Sequence, residues 1–83
     1  MRNLRNFVEV AKHRSFSVAA ERLGITQSAA SQRVLQLEKQ LGVTLIDRSV
    51  RPLALTPAGD AFLRGCRDLL ERFERLQHRV THF

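Results

Sequence analysis

Several residue types that would support other functions are scarce or absent in this 83-residue chain. Trp and Tyr are absent, and the five Phe are spaced like packing residues, which argues against a platform that stacks single-stranded bases. Cys66 is the only cysteine, so an internal disulfide and a cysteine zinc cluster are excluded. No apolar run approaches the ~18 residues of a membrane-spanning helix, and the N-terminus lacks the apolar segment of a signal peptide. The sequence therefore predicts a cytoplasmic protein with no membrane partner.

Groups for catalysis or for binding a metal or cofactor are also missing from the pattern. There is no Gly-rich phosphate loop, and no serine is accompanied by a plausible histidine and acid. The histidines show no metal-ligand spacing with Cys, Asp or Glu, although His78 and His82 leave a weak two-histidine site open. We therefore expect no enzyme activity, no catalytic residue, no metal, no cofactor and no small-molecule ligand within these residues.

Positive charge dominates the polar residues. Fourteen Lys and Arg against eight Asp and Glu give a formal net charge of +6 and a pI near 11.3. This much charge on a small body favours a polyanionic partner, with nucleic acid first and an anionic membrane surface second. Solubility alone is the alternative reading of the charge.

The first 42 residues read as three helices separated by tight turns. Apolar residues at helical spacing predict a helix over residues 3–13, and Ser17 is placed to cap a second, short helix. Gly24 is placed to end that helix with positive φ, and Thr26 is placed to cap a third helix over residues 27–41. The side chains expected to face inward from the third helix are Ala30, Val34, Leu37 and Leu41.

After Gly42 the hydrophobic period changes. Short β-prone segments predict a two-stranded wing over residues 45–55, with Arg48, Arg51 and Pro52 at or near its tip. Thr56 and Pro57 then open a last helix, as a cap and a proline at the first helical position. Apolar residues recur along that helix at alternating spacings of four and three, which is a heptad seam typical of dimers. The predicted seam consists of Phe62, Cys66, Leu69, Phe73, Leu76, Val80 and Phe83.

The fold class predicted from these elements is mostly α: a winged helix-turn-helix of three helices and a short wing, followed by a long dimerisation helix. We divide the chain into a winged helix-turn-helix domain (1–56) and a dimerisation helix (57–83). The heptad pattern continues to the last residue, which predicts an N-terminal piece of a longer protein.

The third helix has features typical of a DNA-reading helix. One helix fits the major groove of B-DNA, and short polar side chains on its outer face read base edges. That face carries Gln27, Ser28, Ser31 and Gln32, with Arg33 on its flank facing phosphate.

Segment by segment, the chain resembles the N-terminal domain of LysR-type transcriptional regulators. The resemblance is carried by Leu4, Phe7 and Val8, by the run from Phe16 to Ser49, and by LTPAGDAFL from Leu55 to Leu63. It implies a homodimer paired through the last helix, with higher oligomers open for a longer chain, that binds an interrupted palindrome of double-stranded DNA near a promoter. It also implies an effector-binding domain beyond the last helix.

The resemblance implies contact positions as well. The family's base and backbone contacts fall on Thr26, Gln27, Ser28, Ser31 and Gln32, and its wing arginines on Arg48 and Arg51. Ser28 is a departure, because many members carry proline there, and serine adds a donor and a backbone N–H at the start of the recognition helix. The rival reading is a winged helix used for protein interaction, with the same fold and dimer but no specific DNA readout.

Overall fold

The computed structural model describes residues 2–83, which form four helices and one small sheet. The elements are α1 (Arg2–His13), α2 (Phe16–Leu23), α3 (Gln27–Leu41), β1 (Ile46–Asp47), β2 (Ala54–Leu55) and α4 (Pro57–Thr81). This order confirms the predicted winged helix-turn-helix followed by a long helix. Within residues 2–83, no helix is both long and apolar enough to cross a bilayer.

Most helix ends follow the local signals in the sequence. Gly24 and Gly42 end α2 and α3 with φ values of 68° and 72°, in the left-handed region where a Cβ costs energy. The Thr26 hydroxyl accepts from the backbone N–H of Ala29 at 3.0 Å, and the Thr56 hydroxyl accepts from that of Gly59 at 3.0 Å. These threonines cap α3 and α4 as predicted.

Two predictions about the helices are wrong. The cap of α2 is Ser15, whose hydroxyl accepts from the backbone N–H of Val18 at 3.1 Å, and Ser17 lies inside the helix. The chain turns earlier than expected because Arg14 adopts a φ of 53° directly after α1. Leu41 is 44% exposed, since Leu37 is the last residue of α3 that reaches the core.

The core lies where α1, α2 and α3 meet the first turns of α4. Phe7, Val34 and Leu45 are almost fully buried in it, and the rings of Phe7 and Phe62 meet edge to face at 5.5 Å. Between α2 and α3 the buried residues are small, chiefly Ala19 and Ala30. Small side chains let the two helices approach closely, which sets the position of α3.

The predicted seam of α4 divides into two parts. Cys66 is 1% exposed in the chain's own core, and the half-buried Phe62 packs against that core. Burial raises the pKa of the Cys66 thiol, which suits a packing role. Leu69, Leu76 and Val80 are 51%, 51% and 64% exposed. In the single chain the later part of the predicted seam is the more exposed one, because α4 uses its first apolar turns to close the domain, across the predicted division at residue 56.

The wing is present but its strands are shorter than predicted. Ile46 pairs with Leu55 and Asp47 with Ala54 in an antiparallel arrangement. The N–H of Leu45 donates to the side chain of Glu38 rather than to a strand, which delays the start of β1. A two-residue ladder of this kind depends on contacts with the helices for its position.

The start of α4 lies very close to the wing at Gly59. A Cβ built on Gly59 would lie 2.0 Å from the carbonyl oxygen of Leu45, a backbone atom that cannot swing away. Thr56 strengthens the same junction, since its N–H donates to the Leu45 carbonyl at 3.0 Å. Gly59 therefore sets how closely α4 and the wing pack.

Replacing Gly59 by alanine should destabilise the fold. The added methyl must push the Leu45 backbone away, which we expect to lower the free energy of unfolding by about 1–3 kcal/mol. Gly65→Ala is the matched control on the same helix, because nothing lies within 4 Å of its Cβ position. That control should gain about 0.5–1 kcal/mol from helix propensity. Urea unfolding followed by circular dichroism measures both, and equal stability of the two variants would contradict the close approach at Gly59.

Candidate nucleic-acid interface

The outer face of α3 is polar and accessible at its N-terminal end. Gln27, Ser28 and Gln32 are exposed, as is the capping residue Thr26. Ser31 and Arg33 are half-buried, which places them on the edges of this face. The structure thus places all six predicted contact residues in the N-terminal half of α3 or at its cap. Four of them are exposed to solvent: Thr26, Gln27, Ser28 and Gln32.

A buried hydrogen bond anchors this end of α3 to α1. The side chain of Asn6 is fully buried, and its Nδ2 donates to the carbonyl oxygen of Ala30 at 3.0 Å. Its Oδ1 has no partner within residues 2–83. The sequence analysis missed Asn6. A signal was available, because Asn6 precedes the buried Val10 by four residues and so shares its side of α1.

Arg51 and Pro52 lie exposed in the loop between β1 and β2. Nη1 of Arg51 donates to the carbonyl oxygen of Arg48 at 2.9 Å. At the start of the loop, Oδ1 of Asp47 accepts from the N–H of Ser49 at 2.9 Å and from its hydroxyl. The bonds from Ser49 hold the pKa of Asp47 below its usual value. These bonds shape the loop that presents Arg51.

Arg48 lies at the start of the loop between β1 and β2, directly after Asp47. Its side chain turns back toward the helices and is half-buried. Nη1 donates to the Ser31 hydroxyl at 2.6 Å and Nη2 to the Ser31 carbonyl at 3.3 Å. The guanidinium carbon lies 4.5 Å from the centroid of the Phe16 ring, a cation–π distance. The sequence analysis missed these contacts because it could not place Phe16 and Ser31 beside the end of β1.

Glu38 ties the other end of α3 to the wing. Its Oε2 accepts from the N–H of Leu45 at 2.7 Å and from the N–H of Ile46 at 3.2 Å. A carboxylate that accepts two backbone donors makes strong, charge-assisted bonds. Together with Arg48, Glu38 fixes the wing relative to α3.

A cleft of about 360 Å³ opens between the start of α2, the start of α3 and the wing. Its lining carries cationic, hydroxyl and amide groups and no carboxylate. The lining residues are Arg14, Ser15, Phe16, Ser17, Gln27, Ser31, Arg48, Arg51 and Leu53. The sequence analysis did not assign Arg14, Ser15 or Ser17 to the site. They surround the N-terminus of α2, and free N–H groups at a helix N-terminus attract anions.

The two histidines considered above as a weak metal site lie near the C-terminal end of α4. The rings of His78 and His82 stack with centroids 4.0 Å apart. Within residues 2–83, no group of three or more potential metal ligands comes together. The exposed part of the seam lies on this same half of α4.

Comparison with known proteins gives a consistent result over the whole domain. The model of the family described as bacterial regulatory helix-turn-helix protein, lysR family, matches residues 1–60. HTH-type transcriptional regulator AlsR of Bacillus subtilis is 46% identical over 67 residues, 81% of this chain and 22% of that protein. HTH-type transcriptional regulator HdfR of Yersinia enterocolitica is 42% identical over 79 residues, 95% of this chain and 27% of that protein. The chain thus spans about a quarter of the length of these curated relatives.

Solved structures agree with the chain over nearly its full length. The complex of the BenM DBD with catB site 1 DNA has a TM-score of 0.95 and 34% identity, and the match covers 98% of this chain and 91% of that one. The CbnR DBD–DNA complex has a TM-score of 0.91 and 38% identity, over 98% of this chain and 93% of that one.

Removing the Glu38 carboxylate should loosen the wing. In Glu38→Ala the N–H groups of Leu45 and Ile46 lose their acceptor, which should cost about 1–3 kcal/mol in unfolding free energy. Amide hydrogen exchange at Leu45 and Ile46 should accelerate more than at Val34 in the core. Glu38→Gln is the control, because both bonds go to one oxygen that an amide can replace. Unchanged exchange at Leu45 and Ile46 in Glu38→Ala would contradict this role.

Proposed function

Because the chain belongs to the lysR family of bacterial regulatory helix-turn-helix proteins, we propose that it binds a specific double-stranded DNA sequence as a homodimer and regulates transcription. The observation that carries the proposal is the exposed polar face of α3 beside a carboxylate-free cleft bordered by three arginines. Complexes of the BenM DBD and the CbnR DBD with DNA support it, since those domains share this fold. The role proposed is binding, not catalysis, and the location is the cytoplasm, where bacterial chromosomal DNA lies.

The N-terminal end of α3 enters the major groove in this proposal. Gln27 and Gln32 offer amide groups that pair with adenine in a bidentate manner, and the serines offer hydroxyls. Ser28 leaves a backbone N–H where a proline has none. The proposed contact positions are Thr26, Gln27, Ser28, Ser31, Gln32 and Arg33.

The wing and the start of α2 hold the phosphate backbone. Arg51, with Pro52 beside it, is exposed, so its charge can meet phosphate or a narrow minor groove. Across the cleft, Arg14 and the N–H groups of α2 border the same space. Contacts on both sides of α3 would set its register in the groove.

The second half of α4 supplies the dimer. The apolar side chains there are mostly exposed in the single chain, although they repeat at heptad spacing. Burying them against a second copy would remove this apolar surface from water and place two copies of α3 on one side of the duplex. We propose residues 57–83 as the linker helix of this dimer, with the contact made by Leu69, Phe73, Leu76 and Val80.

Specific binding has a salt signature and a residue signature. If about six phosphates are neutralised, affinity should fall ~10³-fold between about 50 and 200 mM salt on an interrupted palindrome selected from random duplexes.

Substitutions in α3 and in the wing should affect binding differently. Gln27→Ala should relax preference at one base pair, by about 1–3 kcal/mol, while Arg51→Ala should weaken binding to all duplexes. Fluorescence anisotropy at several salt concentrations measures these effects.

Matched controls lie on the same elements. Gln40→Ala, at the other end of α3, and Arg67→Ala, exposed on α4, should leave specific affinity within about twofold, because neither lies near the proposed groove contacts. A flat salt response, or equal affinity for a scrambled duplex, would favour the rival function as a protein-interaction module. That rival also predicts that charge reversal at Arg51 has no effect on any duplex binding.

The dimer is tested by placing a charge on the exposed apolar side of α4. Leu76→Glu should shift the sedimentation equilibrium toward monomer, because a carboxylate would have to be buried against the second helix. Leu76 is 51% exposed, so the fold itself should keep its thermal stability. His78→Glu adds the same charge on the opposite side of the helix and should remain dimeric. A dimer unaffected by Leu76→Glu would place the contact elsewhere.

A further inference from the structure

Ser31 and Arg48 form a pair whose geometry is more specific than a phosphate contact requires. Nη1 and Nη2 of Arg48 hold the hydroxyl and the carbonyl of the same residue, at 2.6 and 3.3 Å. On its other side the guanidinium lies over the ring of Phe16 at 4.5 Å. The guanidinium is therefore fixed between α2 and α3, and it approaches the Ser31 hydroxyl from one direction only.

The position of the Arg48 guanidinium determines which way the proton of the Ser31 hydroxyl points. A serine hydroxyl has one proton and two acceptor lone pairs. Arg48 occupies one lone pair, so the proton turns away from the guanidinium. Serines inside helices often donate to the carbonyl four residues earlier, here that of Gln27. Ser31 makes no such bond, and within residues 2–83 no acceptor takes its proton, in contrast to Thr81, which donates to Gln77 at 2.9 Å.

The charge of Arg48 also changes the strength of the hydroxyl. A hydrogen bond from an ionised donor is stronger than a neutral one and polarises the group that accepts it. The Ser31 O–H thereby becomes a better donor, and its oxygen a poorer acceptor. An incoming amino group would have to approach an oxygen already held by a cation.

We infer that Arg48 is a positioning residue that makes Ser31 a hydrogen-bond donor to a base, and that this pair contributes to sequence selection. The inference rests on the proposed DNA-binding function. In the major groove the acceptors are N7 and O6 of guanine, N7 of adenine and O4 of thymine, whereas the amino groups of cytosine and adenine are donors. Ser31 should therefore read an acceptor atom and ignore or reject an amino group.

The first experiment finds the base pair that Ser31 reads and removes its groups one at a time. Selection from random duplexes with the native protein and with Ser31→Ala identifies the pair whose preference disappears. At that pair, a 7-deazapurine removes N7, and base analogues lacking O6 or O4 remove the other acceptors. Loss of the acceptor that is read should weaken native binding about 2- to 10-fold, the range of one hydrogen bond. Ser31→Ala should not respond, and removal of an amino group should leave native affinity unchanged.

The second experiment separates positioning from simple charge. Arg48→Lys keeps the charge but cannot hold both groups of Ser31, so it should lose the sensitivity to the missing acceptor while its salt dependence stays native. Arg48→Gln should also lose that sensitivity. Arg51→Gln is the matched control: it should keep the sensitivity and reduce the slope of log affinity against log salt by about 0.9. Circular dichroism checks that each variant is folded. If Arg48→Gln is unfolded, the responses of Arg48→Lys and Ser31→Ala test the positioning role on their own.

Several results would overturn the inference. Specific binding by native protein with no base preference that depends on Ser31 would place its hydroxyl on phosphate. A response to a missing amino group rather than to a missing acceptor would make Ser31 an acceptor. Full acceptor sensitivity in Arg48→Lys would show that position 48 needs only charge. Absence of any specific binding by the native protein is a different result, since it removes the proposed function itself.

Discussion

Burial of one face of α3 is the constraint on which the rest of the structure depends. The helix must hold its position through Ala30, Val34 and Leu37 while its opposite face stays free. The apolar contact is small, since two of these three side chains are alanine and valine. Polar bonds supplement it: Asn6 holds the carbonyl of Ala30 at one end of α3, and Glu38 holds the wing at the other. A helix held at both ends presents its outer side chains in a fixed direction, and a reading surface requires that.

Sequence patterns predicted the elements well because each depends on neighbours in the chain. Gly24, Thr26 and Gly42 act within one helical turn, so their signals place the ends of α2 and α3 without knowledge of the fold. Ser15 and Ser17 show the limit of such signals. Both are suitable caps, and the choice between them depends on the turn at Arg14, which the core geometry determines.

The parts that failed depend on contacts between distant segments. A heptad pattern on α4 indicates that one side of the helix is apolar. It does not indicate whether that side packs against its own domain or against a second chain. Cys66 meets the domain, while Leu76 does not. Arg48 was predicted as a basic residue of the wing, and nothing near it in the sequence announces its contacts with Phe16 and Ser31. The outer face of α3 was predictable as an exposed polar surface, and the bonds that orient it were not.

Helix α4 is one continuous helix that forms part of the core at one end and carries exposed apolar side chains at the other. It runs for 25 residues, from Pro57 to Thr81. At 1.5 Å per residue this length is about 37 Å, close to the ~34–36 Å that separates half-sites one turn apart on the same side of B-DNA. Gly59 and Cys66 fix the first part of α4 to the wing and the core, so a contact made near Leu76 would determine where α3 of each copy lies. In a dimer formed by such a contact, the distance between the two copies of α3 would depend on the packing at Gly59 as much as on the apolar residues near Leu76.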